Sequence, residues 1–207
     1  PIMAGVNETH IMYAASLPKI AILFGLFKRI EEGTIAWNDD IKQKAEDMIR
    51  KSSNTASTEL FHMIGPEYLR DLLTSKKYNL YDRNRYGGLW VGKEYGKAPA
   101  KFLDPIGGIS HAATPFSVLR FYYLMESFQL VSREWTMKMR EVLAFSAFNS
   151  KFLRGLKTCC PEAITLRKAG SWRNYCSDSA LVINKNKRYI IAAIADDPES
   201  EEWLERL

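Results

Sequence analysis

Ser16 and Lys19 are the first pair of residues in this chain equipped for covalent chemistry. They stand three positions apart where a helix is expected to open, which puts them on one face, one turn apart. A serine hydroxyl is a weak nucleophile until a neighbour takes its proton. A lysine held at the edge of an apolar core can take it, because desolvation lowers the pKa of the amine. The helix N-terminus adds partial positive charge and free N–H groups beside the serine. A second cluster, Ser52-Ser53-Asn54, falls in a tight connection between helices, where hydroxyls and amides also serve as caps. A third, Lys168-Ala169-Gly170-Ser171, closes an expected strand. There the lysine can hold a carboxylate, and glycine lets a ligand lie along the strand edge without meeting a Cβ. Taken singly, each cluster also has a plain structural reading: a capped core helix with a snorkelling lysine, an N-cap, and a strand end that turns at glycine.

The elements that must position these residues follow from periodicity. Residues 20–27 are apolar on every face, between Pro18, suited to a first helical turn, and Gly33, suited to the position after a helix end. A helix that is apolar all round is a buried one, and roughly 15 residues fall short of the about 20 that span a bilayer. Helices are expected over 41–50, with Asp39 or Asp40 as N-cap, over 55–64, from 67 to 73, over 116–128 behind the Thr114-Pro115 start, and over 132–143. The aromatic stripe of 116–128 reads as core, and His111, just before that start, as a structural histidine within reach of the site. Residues 82–110, rich in glycine, form a long ordered loop. Residues 1–12 contribute one short strand. Strands over 163–168, 179–183 and 188–195, the last two joined by a hairpin at 184–187, gather near the C-terminus before a closing amphipathic helix over 198–207. Central helices with late antiparallel strands make an α+β layout.

Composition bounds the rest. A chain of 207 residues with 46% hydrophobic residues can bury a sizeable core as one domain or two small lobes. The net charge of +5 is dispersed, with no run of five Lys or Arg, which suits an anionic substrate and not a nucleic acid. Cys159, Cys160 and Cys176 offer neither a disulfide framework nor a zinc spacing, a single bridge to Cys176 is left open, and no metal or phosphate motif is found. No signal peptide or transmembrane run is expected, and a chain that starts at Pro1 reads as an excised or mature domain.

In order along one chain, Ser-x-x-Lys at a helix start, Ser-x-Asn between helices and Lys-x-Gly on a late strand form a known motif set. On these residues the sequence resembles the class A β-lactamase-like serine hydrolases of the β-lactamase and penicillin-binding protein superfamily, from Ala14 to the final helix. Residues 109–115 and 168–182 are similar to that group as well. The resemblance implies an antiparallel sheet flanked by helices plus a helical lobe, in three layers, α/β/α. It implies a single catalytic domain over 1–207, with the helical lobe at about 17–150 and a sheet formed mainly by 160–196 with N-terminal residues, the usual N-terminal helix and strands being absent or abbreviated. It also implies roles. Ser16 is the acylated nucleophile and Lys19 its base or proton relay. Ser52 passes a proton to the leaving nitrogen, and Asn54 holds the substrate amide and Lys19. Lys168 and Ser171 bind the substrate carboxylate, with Gly170 against the substrate. The N–H groups of Ser16 and Ser171 form the oxyanion hole. The expected substrate is a β-lactam or a D-alanyl-type peptide or ester, with no cofactor, metal, nucleic acid or membrane span, in a monomer or weak homo-oligomer of periplasmic or extracellular location.

The departures bear on turnover. Ser53 stands where aspartate is usual in this group, Ala169 where threonine or serine is usual, and the spacing from Ser16 to Ser52 is short. The Glu-x-x-Leu-Asn pattern that supplies a deacylating base is missing; Glu94 is the nearest candidate. Two alternatives to a β-lactamase follow: a DD-peptidase or esterase with slow β-lactam turnover, and a non-hydrolytic domain that binds cell-wall peptide or protein.

Overall fold

The computed structural model describes residues 2–97, 99 and 101–207; residues 98 and 100 of the expected loop, and Pro1, lie outside them. Along the chain run β1 (Met12–Tyr13), α1 (Lys19–Glu31), α2 (Asp39–Arg50), α3 (Asn54–Ile64) and α4 (Pro66–Thr74). Then come β2 (Tyr81–Asp82), β3 (Gly87–Gly88), β4 (Trp90–Val91) and β5 (His111–Ala113), followed by α5 (Pro115–Glu126), α6 (Arg133–Leu143) and α7 (Phe152–Cys159). The chain ends in β6 (Ile164–Trp172), β7 (Tyr175–Asn184), β8 (Lys187–Asp196) and α8 (Ser200–Arg206).

α1 is the axis. Ile20, Ala21, Ile22, Leu23, Phe24, Leu26 and Phe27 are all fully buried, and α2, α3, α4, α6 and β4 pack around them. The helix opens one residue later than its sequence suggests: Pro18 is the N-cap position, and tight bonds from Leu17 N to Ala14 O (3.0 Å) and from Lys19 N to Ser16 O (3.3 Å) lead into it. Ser16 therefore sits just outside the first turn. Gly33 closes the helix at φ +73°, the left-handed geometry that glycine adopts at no steric cost.

The cap of α2 is Asn38, whose Oδ1 accepts from Ile41 N at 2.9 Å, and not Asp39 or Asp40. Those carboxylates lie in the first turn instead, where the helix dipole favours them. Thr114 caps α5 through a reciprocal bond pair with Ser117. Near the end of the expected loop the buried Asp104 carboxylate holds residues 104–109 in place, accepting from Tyr81 Oη and from the backbone N–H groups of Ile106, Gly107 and Ile109.

The main sheet has the order β6-β7-β8, antiparallel throughout. Its register is continuous from Ile164↔Ile183 to Trp172↔Tyr175 and from Tyr175↔Asp196 to Asn184↔Lys187. Two-residue turns with Arg173 at φ +53° and Lys185 at φ +54° set that register. Side chains alternate across it. Leu181, Ile183, Ile190, Ala192 and Ile194 join the main core, and α5 packs against β7 and β8. Cys176, Ile191, Ala193 and Ala195 meet Phe152, Leu156 and Leu204 of α7 and α8. Those are the three layers. N-terminal residues do not extend this sheet: β1 pairs with β5 in a separate small one, β1-β5-β4, because Ala14 turns away into the Ser16 segment.

Sequence pattern does not announce α7. Its centre is Gly155, a poor helix former, and the packing explains the residue: a Cβ there would fall 2.2 Å from the Glu205 carbonyl oxygen of α8. β6 is likewise longer than its alternating segment, so Lys168–Ser171 lies within the strand. The three cysteines are free, with Cys159 exposed, Cys160 half-buried and Cys176 buried. No helix among the described residues is long and apolar enough to cross a membrane.

Candidate active site

The backbone brings the three clusters to one place. Ser16 follows Ala15, whose φ of +51° is unusual for a residue with a Cβ and costs on the order of 1 kcal/mol. The Ser177 hydroxyl ties this turn down by donating to Ala14 O at 2.8 Å. Gly170 of β6 presses against it: a Cβ on Gly170 would lie 2.5 Å from Ser16 N and 2.6 Å from Ala14 O. Glycine is thus required by close approach, and the β6 edge runs directly beside the Ser16 amide. Apart from a single bridge between Ala144 and Leu166, that edge has no strand partner among the described residues, the kind of edge along which an extended ligand can lie.

Lys19 has no solvent exposure. Its Nζ donates to Ser52 O at 2.6 Å and to Asn54 Oδ1 at 2.9 Å, and lies 3.4 Å from Ser52 Oγ. The two short bonds use two N–H groups; the third position holds a proton or a lone pair according to pH. Burial lowers the pKa of this lysine to about 7, so the lone pair is available near neutrality. Ser52 itself stands at φ +57°. Its neighbour Ser53 caps α3, accepting from Ala56 N at 3.2 Å. The middle residue of the cluster therefore does the helix capping, and the outer two face the lysines.

Lys168, 3% exposed, donates to Ser52 Oγ at 3.0 Å and to Ala169 O at 2.6 Å. Burial, then the Lys19 charge, hold its pKa well below the ordinary range. Ser52 Oγ accepts from a lysine, which leaves its own proton available to a ligand atom. Behind β6 lies Lys151, a residue that sequence gave no reason to single out. Its buried Nζ donates to Gly170 O (2.6 Å), Ser171 Oγ (2.7 Å) and Ser177 O (3.1 Å). With its oxygen accepting from Lys151, the Ser171 hydroxyl is oriented to give its proton elsewhere. The register of this strand pair is pinned by the buried Arg167–Asp178 ion pair at 2.7 Å.

Glu94 is not brought to this group. Its carboxylate bonds His62 Nε2 at 2.7 Å on the protein surface. The next residue, Tyr95, turns inward. Its ring covers Lys19 Nζ at 4.5 Å to the centroid and stacks on His111 at 4.1 Å. His111 is buried, and burial followed by the Lys93 charge lowers its pKa to about 4. Sequence flagged His111 only for its place before Thr114, and Tyr95 not at all.

The assembly joins the Ser16 turn, a buried lysine that is an amine near neutral pH, a second hydroxyl bonded by Lys168, and the β6 edge. A serine beside a lysine in its amine form is a general arrangement for nucleophilic chemistry.

The beta-lactamase enzyme family matches residues 40–206 of the chain. A comparison with curated proteins gives no match. Among solved structures, a β-lactamase from Sphaerobacter thermophilus superposes with a TM-score of 0.77 at 17% identity, over 96% of this chain and 81% of that one. A variant of PBP-A in an acyl-enzyme complex with penicillin G gives 0.75 at 18% identity, over 98% and 82%. A β-lactamase from Chitinophaga pinensis gives 0.72 at 11% identity, over 97% and 83%. At these identities the likeness is one of fold.

Proposed function

The chain belongs to the beta-lactamase enzyme family, and from that premise we propose that it is a serine hydrolase that works through a Ser16 acyl-enzyme, with the amide of a β-lactam as substrate. One observation carries the reading: Lys19, buried and lowered to about 7, sits one turn from Ser16 with all its short bonds to neutral acceptors. As an amine it takes the Ser16 proton while Oγ attacks the carbonyl carbon. The N–H groups of Ser16 and Ser171 stabilise the oxyanion, each worth on the order of 3 kcal/mol in the transition state. Ser52, polarised by Lys168, gives its proton to the leaving nitrogen as the C–N bond breaks, and recovers one through Lys19. Asn54 holds the substrate amide, and Lys168 with Ser171 holds its carboxylate. The family supports a periplasmic or extracellular setting.

A second reading within the same chemistry is a DD-peptidase or esterase that β-lactams acylate and leave slowly. The position of Glu94 favours it, since no carboxylate contacts Lys19 among the described residues.

Intact mass measured over time after mixing with a penicillin, and with a small activated ester, tests the assignment. A single adduct is expected on the wild type and none on Ser16→Ala at unchanged melting temperature. A lasting adduct selects the peptidase or esterase reading, and a transient one with substrate consumed selects the β-lactamase. A folded wild type that forms no adduct with either reagent removes the acyl-enzyme reading and leaves a binding domain.

A further inference from the structure

Two buried polar atoms lack any hydrogen-bond partner among the described residues: Tyr95 Oη and His111 Nε2. Leaving such a group unmet costs on the order of 1–3 kcal/mol, and a phenylalanine would avoid that cost at position 95. Both atoms belong to rings stacked on each other beside Lys19. They are complementary, since a phenol can donate and the bare nitrogen of a neutral imidazole can accept. The other ring nitrogen, Nδ1, lies 3.4 Å from Ser110 Oγ. The ring is delivered by the short β1–β5 pair: Ala14 N donates to His111 O at 2.9 Å, two residues before Ser16.

We propose that His111 and Tyr95 form the water-activating site of the second half-reaction, with His111 Nε2 as base and the Tyr95 hydroxyl as donor to the water. This rests on the Ser16 acyl-enzyme. The water gives a proton to Nε2 as its oxygen bonds to the ester carbonyl carbon. The tetrahedral intermediate then collapses, the bond from carbon to Ser16 Oγ breaks, and Oγ takes the proton back from the imidazolium. Ester and water become serine and carboxylic acid, with no other reactant. The titratable groups that face the imidazole are Lys19 from α1, Lys93 and Tyr95 from the loop, and Tyr13 from β1. Burial first, then the Lys93 and Lys19 charges, against a Lys93 backbone bond that favours the charged form, keep the ring a free base down to about pH 4.

The test measures both half-reactions by intact mass with a penicillin and with an activated ester, on the wild type, His111→Gln and Tyr95→Phe, each checked for its melting temperature. Acylation should be unchanged in both variants. Adduct loss should slow by at least about 100-fold in His111→Gln, the usual worth of a positioned base. It should slow by about tenfold in Tyr95→Phe, the worth of one hydrogen bond. Wild-type adduct loss should fall with acidity only as the pH nears about 4. If His111→Gln does not fold, Tyr95→Phe carries the test, because it removes one oxygen that has no partner to lose. Adduct loss at the wild-type rate in the folded variants would overturn the proposal. So would a wild-type adduct that never decays, which would leave acylation of Ser16 standing. Absence of any wild-type adduct would overturn the acyl-enzyme reading itself, and this site with it.

Discussion

Lys19 shows how a single side chain is tuned by what surrounds it. Full burial works against its charge, and the acceptors it meets, Ser52 O and Asn54 Oδ1, are neutral dipoles that recover only part of the lost hydration. The result is a pKa lowered to about 7. In the proposed mechanism the reactive form is the deprotonated amine, which fixes the sign of the consequence. The rate of adduct formation should rise with pH by about tenfold per unit while Lys19 is an ammonium, and level off above about 7. A rate of adduct formation that is flat through neutrality, measured by stopped mass analysis across buffers, would show that Lys19 does not act as the base.

At the level of elements, the site depends on β6 lying against the turn before α1. Gly170 makes that contact, and its backbone angle is one that any residue accepts, so its requirement is spatial and not conformational. In Gly170→Ala the new methyl would need the space 2.5 Å from Ser16 N, so β6 must move away from Ser16. The pairing of β6 with β7 and the Arg167–Asp178 ion pair hold the rest of the strand, so the shift is local. Acylation should fall by about 100-fold or more, the loss expected when an oxyanion donor is misplaced. Thermal unfolding should change far less. A variant that acylates at the wild-type rate would show that β6 does not form one wall of the cleft.

Across the whole molecule, two cores on opposite faces of one sheet divide the labour. The larger one surrounds α1 and fixes Ser16, Lys19 and the Ser52 connection; the smaller, around Phe152, Cys176 and Leu204, clamps α7 and α8 to the back of β7 and β8. Because Lys151 lies at the entry to α7, that outer layer also reaches Ser171. The free cysteines report on it. In the native protein a thiol reagent should modify exposed Cys159 rapidly, while buried Cys176 should react only with global unfolding. Rapid native modification of Cys176, located by peptide mass, would mean that the α7–α8 layer opens by itself.

Sequence alone determined the elements whose evidence is local. The all-apolar run of residues 20–27 reads as a buried helix, the Thr114-Pro115 start opens α5, and the order of Ser-x-x-Lys, Ser-x-Asn and Lys-x-Gly carried the family resemblance. Other features depend on contacts between residues far apart in the chain, which no periodicity records. Gly155 disguises α7 because its reason lies in α8, and β1 finds its partner in β5, far along the chain. Lys151 reads as an ordinary surface lysine until β6 covers it. Glu94 and Tyr95 are neighbours in sequence, and only the path of the folded loop decides that the carboxylate meets His62 at the surface while the phenol goes in beside Lys19. Chemistry that needs a residue type at a fixed spacing is written in the sequence; chemistry that needs a direction is decided by packing.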